Sequence, residues 1–241
     1  MLELSRTIRF CIDFIPPTPP PPGLESTTLV RAEPKHNTFA GYPSMKGLGV
    51  YYELEVRVRG EADPVTGYLM NISEIDEAVR RITIPRIEYF VRKNPDRALA
   101  TVLRSLLESL QPELNESIVV LRWRLTPYYS IQMKADDMMR VQLSQIFDFA
   151  AAHRLHCPEL SEERNREVFG HCNNPNGHGH NYRLQVDVTT PVESGDAEAF
   201  TLTDLERIVD GQVVKRFDHT HLNLDLPDFD SLNPSVENIA K

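Results

Sequence analysis

Histidines and one cysteine are concentrated in a short region of the second half of this chain. Seven of the eight histidines lie between His153 and His221, and two of them, His178 and His180, closely follow Cys172. Imidazoles and thiolates bind transition metals and also transfer protons in catalysis. The sequence therefore predicts a catalytic metal site in this region.

Three of these histidines are predicted metal ligands. Residues two apart on a strand point to the same face, so His178 and His180 present two imidazoles side by side, with room left by Gly179. His153 ends the preceding predicted strand and supplies a third imidazole. An isolated pair of this kind is more often a polar surface feature, but the third histidine and the nearby thiol favour a site here. Three neutral histidines with an open fourth position are typical of catalytic zinc.

Other polar residues near this cluster are candidates for proton transfer. Cys172 is compatible with three roles: a fourth metal ligand, a small buried residue, or a nucleophile or base. The loop around it is polar, which argues against burial in an apolar core. Asp218 precedes His219, and a neighbouring carboxylate orients an imidazole for proton transfer near neutral pH. Taken alone, that pair is more often a helix-end cap. The remaining histidines of the region have no recognisable partner and are predicted to be surface residues: His156, His171 and His221.

An internal repeat relates the two halves of the chain. A shift of 130 residues aligns residues 49–56 with 179–186 and, without a gap, residues 70–75 with 200–205. A strand and the helix after it both recur, and tandem duplication is the simplest explanation. We predict one unit at 1–137 and a second at 138–241.

Apolar periodicity predicts the elements that position the candidate residues. Alternation at Ile8, Phe10, Ile12 and Phe14 indicates an opening strand, as does the alternation from Val141 to Phe147. Further strands are predicted at 51–59, 117–125, 128–133 and 182–190, with helices beginning near Ser73 and Thr203 and another at 95–110.

The first half therefore contains strand, strand, helix, helix, strand, strand. This order predicts an α+β fold with antiparallel sheets and helices on one face. Six prolines between Pro16 and Pro22 predict an extended surface insertion. The second half stops at Lys241 inside its second helix, so we expect a truncated sequence.

Composition excludes several classes of function. The net charge of −9 disfavours broad binding to nucleic acid or to an anionic membrane surface. No stretch approaches the roughly 20 apolar residues of a membrane-spanning helix. The three cysteines are an odd number without framework spacing, which favours a reducing cytoplasm.

Residues 169–182, with 152–155 before them and 218–223 after them, closely resemble the 6-pyruvoyl-tetrahydropterin synthase family, which includes bacterial 6-carboxy-tetrahydropterin synthases of queuosine biosynthesis. The resemblance covers the second half with specific motifs. In the first half it rests on the repeat and on a similar turn at 60–67. It implies T-fold units, each strand-strand-helix-helix-strand-strand, that assemble into a barrel around a channel, with active sites between subunits.

The same resemblance implies a role for each candidate residue. His153, His178 and His180 would bind Zn²⁺, Cys172 would be the catalytic thiolate, and Asp218 and His219 would relay protons. The implied substrate is a small-molecule pterin triphosphate, 7,8-dihydroneopterin triphosphate, which loses triphosphate while zinc acts as a Lewis acid. The family's pterin-anchoring glutamate belongs to a segment absent from the second half.

The first half departs from the family at every chemical position. The two strand histidines correspond to Leu48 and Val50, the cysteine to Tyr42, the opening-strand histidine to about Thr18, and the anchoring glutamate to Leu125. We interpret this half as a degenerate copy that supplies sheet and interface. With two units per chain, a ring of T-folds needs half as many chains, so the expected homo-oligomer is trimer-based.

Three functional outcomes stay open on the sequence. The five-residue gap between Cys172 and His178 is typical of the pyruvoyl-forming members, whereas residues 233–238 look like the bacterial carboxy-forming ones. A zinc-binding module without turnover is a third alternative. Both catalytic outcomes use the same substrate and the same metal ligands.

Overall fold

A computed structural model describes residues 1–14, 48–115, 117–193 and 200–241. The chain forms two compact units, one of Met1–Ser144 with Asp187–Phe200 and the other of Gln145–Val186 with Thr201–Lys241. The proline-rich insertion lies outside the described residues. The repeat boundary between residues 137 and 138 stays a prediction, because compactness and sequence repetition divide the chain by different criteria.

The first compact unit is built on an antiparallel sheet. Its strands follow in the order β1 (Leu2–Asp13), β2 (Gly49–Gly60), β3 (Ile118–Arg124) and β4 (Tyr129–Lys134), and then the first part of β5 (Asp137–His153) and the last part of β6 (His178–Pro191). The strands predicted from alternation are confirmed. The alternate residues Ile8, Phe10 and Ile12 are buried, while Phe14 lies beyond the end of β1 and is exposed.

Helices of the first compact unit lie between β2 and β3 in the sequence. Helix α1 (Ile72–Ala78) continues through a π-helical turn (Val79–Thr83) into α2 (Ile84–Lys93), and α3 (Leu99–Leu110) follows. Helix α3 carries a leucine-rich apolar stripe that is fully buried and supplies much of the core. The third helix begins at Leu99 rather than Pro95, because residues 95–98 form a turn after α2.

The second compact unit holds the region rich in histidine. After β5 come α4 (Glu162–Phe169), β6, α5 (Leu202–Val209), a second π-helical turn (Asp210–Val214), α6 (Lys215–Phe217), β7 (Thr220–His221), α7 (Leu222–Asp225) and α8 (Val236–Ile239). Helix α5 begins with a capping box between Thr201 and Asp204. A small core forms here from Ala151, Leu222, Leu226 and Phe229.

One strand pairing differs from the predicted antiparallel pattern. Strand β7 pairs with β5 in parallel, with Ala151 opposite Thr220 and Ala152 opposite His221. A parallel neighbour follows because a helical crossover precedes β7. The fold is nevertheless a mixed α+β fold of sheet and helices. Within the described ranges, no helix combines the length and apolar character needed to cross a membrane.

Candidate metal centre

Three histidines converge at the adjoining ends of β5 and β6 in the second compact unit. His153 is the last residue of β5, and His178 and His180 are the first and third residues of β6. One nitrogen from each ring lies within 4.8 Å of the others. The ring centroids are 4.6 Å apart for His153 and His178, and 4.5 Å apart for His178 and His180. The structure thus brings together the three histidines that the sequence predicted as ligands.

Hydrogen bonding fixes the proton position on the buried member of this group. Nδ1 of His153 lies 2.7 Å from the carbonyl oxygen of Pro234. A carbonyl only accepts, so Nδ1 of His153 donates, and in the neutral ring Nε2 keeps its lone pair. That lone pair faces Nε2 of His178 at 3.2 Å.

The protonation states of the cluster suit metal binding. Burial lowers the pKa of His153 below its ordinary value, and burial followed by the neighbouring His180 lowers the pKa of His178. A histidine binds a metal only as the neutral imidazole, so both lowered pKa values favour the protonation state that can act as a ligand.

The separation of the facing histidine nitrogens also suits a shared cation. Two nitrogens on a tetrahedral zinc, each at about 2.0–2.1 Å, lie about 3.3 Å apart, close to the observed separation of the two facing nitrogens. Nδ1 of His178 is buried and has no hydrogen-bond partner among the described residues. If His178 carries its proton there, two lone pairs face each other without a cation. The residues present therefore fit a metal ion.

Glycine is required in the loop that enters β6. Gly177 has a φ of +70°, and a Cβ at this position would lie 2.6 Å from Nε2 of His221 and 2.9 Å from the carbonyl oxygen of His153. Any side chain would both strain the backbone and displace the chain beside a candidate ligand. This close approach places the loop directly against the end of β5.

Cys172 lies on a 3₁₀ turn formed by Gly170–Asn173, after α4. Its carbonyl oxygen accepts the backbone N–H of Leu155 at 2.8 Å, which ties the turn to the chain that leaves β5. The residue is half-buried, and its thiol is free. Among the described residues, the converging ligand atoms belong to the three histidines, and the Cys172 thiol is not part of that group.

Asp218 and His219 form a pair between α6 and β7. Oδ2 of Asp218 lies 2.8 Å from Nδ1 of His219. The backbone N–H of Ala150 and then the His219 ring hold the pKa of Asp218 below its ordinary value. His219 adopts a left-handed φ of 59°, and its side chain is 85% exposed. The pair can hold and release a proton at an exposed imidazole.

The expectation of partnerless surface residues is wrong for His156, and for His221 it is wrong only in the surface placement. Nδ1 of His156 is 3.0 Å from the side-chain nitrogen of Asn173, which donates to it. His221 is half-buried, with its ring against Gly177 and its backbone N–H donated to the Asp225 carboxylate, while its ring Nδ1 has no hydrogen-bond partner among the described residues. Asn173 lies in another turn, 17 residues from His156, so no local spacing indicated this contact. His171 is exposed, as predicted.

A cleft of about 740 Å³ opens beside this loop region. Side chains of the second compact unit line it, including Arg154, His156, Asn176, His221, Asn223 and Asn233. The lining is mixed, with apolar side chains such as Phe229 and Leu232 beside imidazole, guanidinium and amide groups that can donate hydrogen bonds. The space is sufficient for a small-molecule ligand, because such sites are typically about 300–1,000 Å³.

Fold and site together define an α+β protein with a group of three histidines. Catalytic metal centres use such a group and leave the fourth coordination position open. The chain belongs to the 6-pyruvoyl tetrahydropterin synthase family, whose family model matches residues 142–241. A human protein named 6-pyruvoyl tetrahydrobiopterin synthase is 38% identical over 101 residues, which is 42% of this chain and 70% of that protein.

Further relatives carry the same description. A Poecilia reticulata protein named 6-pyruvoyl tetrahydrobiopterin synthase is 39% identical over 98 residues, 41% of this chain and 67% of that protein. The solved structure of Caenorhabditis elegans 6-pyruvoyl tetrahydropterin synthase is 37% identical, covers 42% of this chain and 71% of that chain, and superposes with a TM-score of 0.39.

Proposed function

We propose that this chain is a zinc-dependent pterin synthase that converts 7,8-dihydroneopterin triphosphate to 6-pyruvoyl-tetrahydropterin with loss of triphosphate. The observation that carries the proposal is the convergence of His153, His178 and His180, with nitrogens within 4.8 Å, in a chain of this family. The names of the relatives support pterin synthesis as the activity.

The metal ligands are the three converging histidines, and Zn²⁺ is the metal. An all-nitrogen set of three neutral imidazoles with room for a fourth ligand is the donor set of catalytic zinc. Bound zinc supplies Lewis acidity that makes the protons of the substrate's side-chain hydroxyls easier to remove. The Pro234 carbonyl orients His153, so that its Nε2 is available as the ligand atom.

Cys172, Asp218 and His219 carry the proton transfers. Cys172 acts as thiolate base, which its half-buried place on a turn beside the end of β5 permits. Asp218 fixes the His219 ring through Nδ1, which leaves Nε2 to exchange protons with the substrate. An exposed ring held by a carboxylate is placed to pass a proton to and from a bound substrate.

The pyruvoyl product is favoured over the carboxy product by two observations. Five residues separate Cys172 from His178, as in the pyruvoyl-forming members. The relatives that match this chain are named for the pyruvoyl product. The 6-carboxy-tetrahydropterin synthase of queuosine biosynthesis and a non-catalytic zinc-binding module are the competing outcomes of the experiment below.

We also propose that the chain contains two tandem T-fold units, of which the first is degenerate, in a trimer-based homo-oligomer. The shared element order supports the repeat, because α1 and α5 both follow a long strand and both continue into a π-helical turn. The long strand β1 ends the strand order of its sheet, and such edges favour pairing with another copy. The free thiols at Cys11, Cys157 and Cys172 suit a reducing, cytoplasmic setting.

Product identification tests the proposed activity. Zinc-loaded protein is incubated with 7,8-dihydroneopterin triphosphate, and the pterin product is identified by mass spectrometry beside the His178→Ala/His180→Ala variant. We expect 6-pyruvoyl-tetrahydropterin and released triphosphate from the wild type alone. A 6-carboxy product would replace the proposed reaction with the alternative one, and unchanged substrate with a fully loaded metal site would establish a non-catalytic module.

A further inference from the structure

The partner of the buried candidate ligand comes from a distant segment of the chain. His153 is 5% exposed, and the carbonyl oxygen that accepts its Nδ1–H belongs to Pro234, which is itself buried. Pro234 lies in the segment Asn233–Asn238 that leads into α8. Its carbonyl therefore sets which nitrogen of His153 is free for a metal, and the position of that carbonyl matters for the site.

Asn238 and Ser235 hold the residue before this proline, Asn233. The side-chain amide of Asn238 donates to the carbonyl oxygen of Asn233 at 2.8 Å, and the N–H of Ser235 donates to the same oxygen at 2.7 Å. The proline ring fixes φ of residue 234. The Ser235 N–H belongs to the same planar peptide unit as the Pro234 carbonyl, so its bond to the Asn233 oxygen also restrains the orientation of that carbonyl.

The Asn233 side chain then ties this segment to the chain that leaves β5. Its Oδ1 accepts the N–H of His156 at 3.2 Å, three residues after His153. The His153 ring and the His156 backbone consequently contact two successive residues, Pro234 and Asn233. These contacts form a closed loop of hydrogen bonds through both segments.

We propose that Asn233 and Asn238 are positioning residues for the metal centre. They hold the Pro234 carbonyl against Nδ1 of His153 and thereby keep Nε2 unprotonated and aimed at the other two histidines. The inference rests on the proposed zinc site, and it gives a role to the Asn233–Asn238 motif beyond its use in comparing family members.

Other asparagines clamp the same stretch of chain without reaching the His153 ring. Asn223 bonds both the N–H and the carbonyl of Arg154, at 2.8 and 3.1 Å, and Asn165 bonds the N–H and the carbonyl of Cys157, at 2.8 and 2.9 Å. These bonds hold the backbone beyond β5. Asn233 differs from Asn223 and Asn165 because it also adjoins Pro234, whose carbonyl accepts the His153 proton, and Asn238 holds Asn233 in place.

The test compares three variants in the second compact unit. Asn233→Ala removes the acceptor of the His156 N–H, Asn238→Ala removes the donor to the Asn233 carbonyl, and Asn233→Asp keeps an acceptor at that point. The His153 tautomer is measured by ¹⁵N NMR in metal-free protein, and the affinity is measured by titration with Co²⁺ and Zn²⁺. We expect both alanine variants to populate the Nε2–H tautomer and to lose roughly 10-fold or more in affinity, within the roughly 10–100-fold that loss of an outer partner costs.

Asn71→Ala is the matched control in the first compact unit. Asn71 caps α1 by accepting the Ser73 N–H at 3.1 Å, so its loss lowers stability, and we expect tautomer and metal affinity to stay unchanged. Asn233→Asp is expected to keep the Nδ1–H tautomer. Wild-type tautomer and affinity in both alanine variants would overturn the positioning role. Because the tautomer is read without metal or substrate, failure of turnover in the wild type contradicts the proposed activity alone.

Discussion

Asp218 is bound to the backbone of Ala150 on strand β5. Its Oδ1 accepts the Ala150 N–H at 2.9 Å, and the Ala150 carbonyl accepts the N–H of the next residue, His219, at 2.6 Å. These reciprocal bonds hold His219 in its left-handed conformation with the ring exposed. The carboxylate therefore both orients the imidazole and anchors it to the strand that ends at the metal centre.

Substitution of Asp218 tests this relationship. Asp218→Asn keeps an oxygen for the Ala150 N–H but places an amide donor next to Nδ1 of His219, which then must accept. We expect turnover to fall by about 10²–10⁴, with fold and metal content kept. The control is Asp228→Asn, which alters a surface ion pair with Arg216. The steady-state rates of the two variants are compared with that of the wild type. Equal rates in the two variants would remove Asp218 from the proton relay.

The lowered pKa of Asp218 predicts a pH dependence of stability. The folded-state pKa lies below the ordinary value of about 3.9 because the Ala150 N–H and the His219 ring favour the carboxylate. As the pH falls, the unfolded state binds a proton on Asp218 before the folded state does. The stabilisation that the Asp218 carboxylate gives the folded state is therefore present above about pH 4 and is lost as the pH falls through the folded-state pKa. Urea midpoints of wild type and Asp218→Asn should converge below about pH 4. A difference that grows as the pH falls would contradict this sign.

Gly177 is predicted to be intolerant of substitution. Gly177→Ala places a Cβ against the His221 ring and the His153 carbonyl at positive φ, so the loop must shift beside two candidate ligands. We expect weaker Zn²⁺ binding and a lower free energy of unfolding, by about 1 kcal/mol or more.

Gly211→Ala is the control for Gly177→Ala. Gly211 lies in a helical turn, and a Cβ there meets nothing within 4 Å. The free energy of unfolding should be unchanged or higher by up to about 1 kcal/mol, with normal Zn²⁺ affinity. Differential scanning calorimetry and metal titration give both quantities. Equal unfolding free energies and equal Zn²⁺ affinities in the two variants would show that Gly177 is not required by backbone strain or close contacts.

The convergence of the three histidines was predictable because it depends on local rules. A strand period of two places His178 and His180 on one face, and the apolar alternation of β5 predicts a strand that ends near His153. The Pro234 carbonyl was not predictable, since it lies 81 residues from His153 and reaches it only through tertiary packing. The same reason explains the wrong interpretation of His156, whose partner Asn173 lies in another turn.

The internal repeat predicts how many chains form the homo-oligomer. Two T-fold units per chain supply the sheet of two single-unit subunits, so we expect a trimer-based particle in place of a hexamer. Strand β1 is the expected contact, because it stands at the end of the strand order among the described residues and a strand at a sheet edge favours pairing with another chain. Multi-angle light scattering on the full-length protein measures the particle mass. An active monomer would contradict both the closed barrel and a site shared between chains.

Cys172→Ala separates catalysis from metal binding. The thiol is not part of the converging ligand group, so we expect the variant to keep one zinc per chain and the fold while turnover falls by about 10²–10⁴. Cys157→Ala is the matched control, because its thiol donates to Glu159 at 2.9 Å at the rim of the cleft and is assigned no proton transfer. His178→Ala/His180→Ala should differ from this variant by losing the zinc as well as the turnover. Metal analysis and turnover are measured on all three variants. Loss of zinc from Cys172→Ala would make the cysteine a ligand, and wild-type turnover would make it a packing residue.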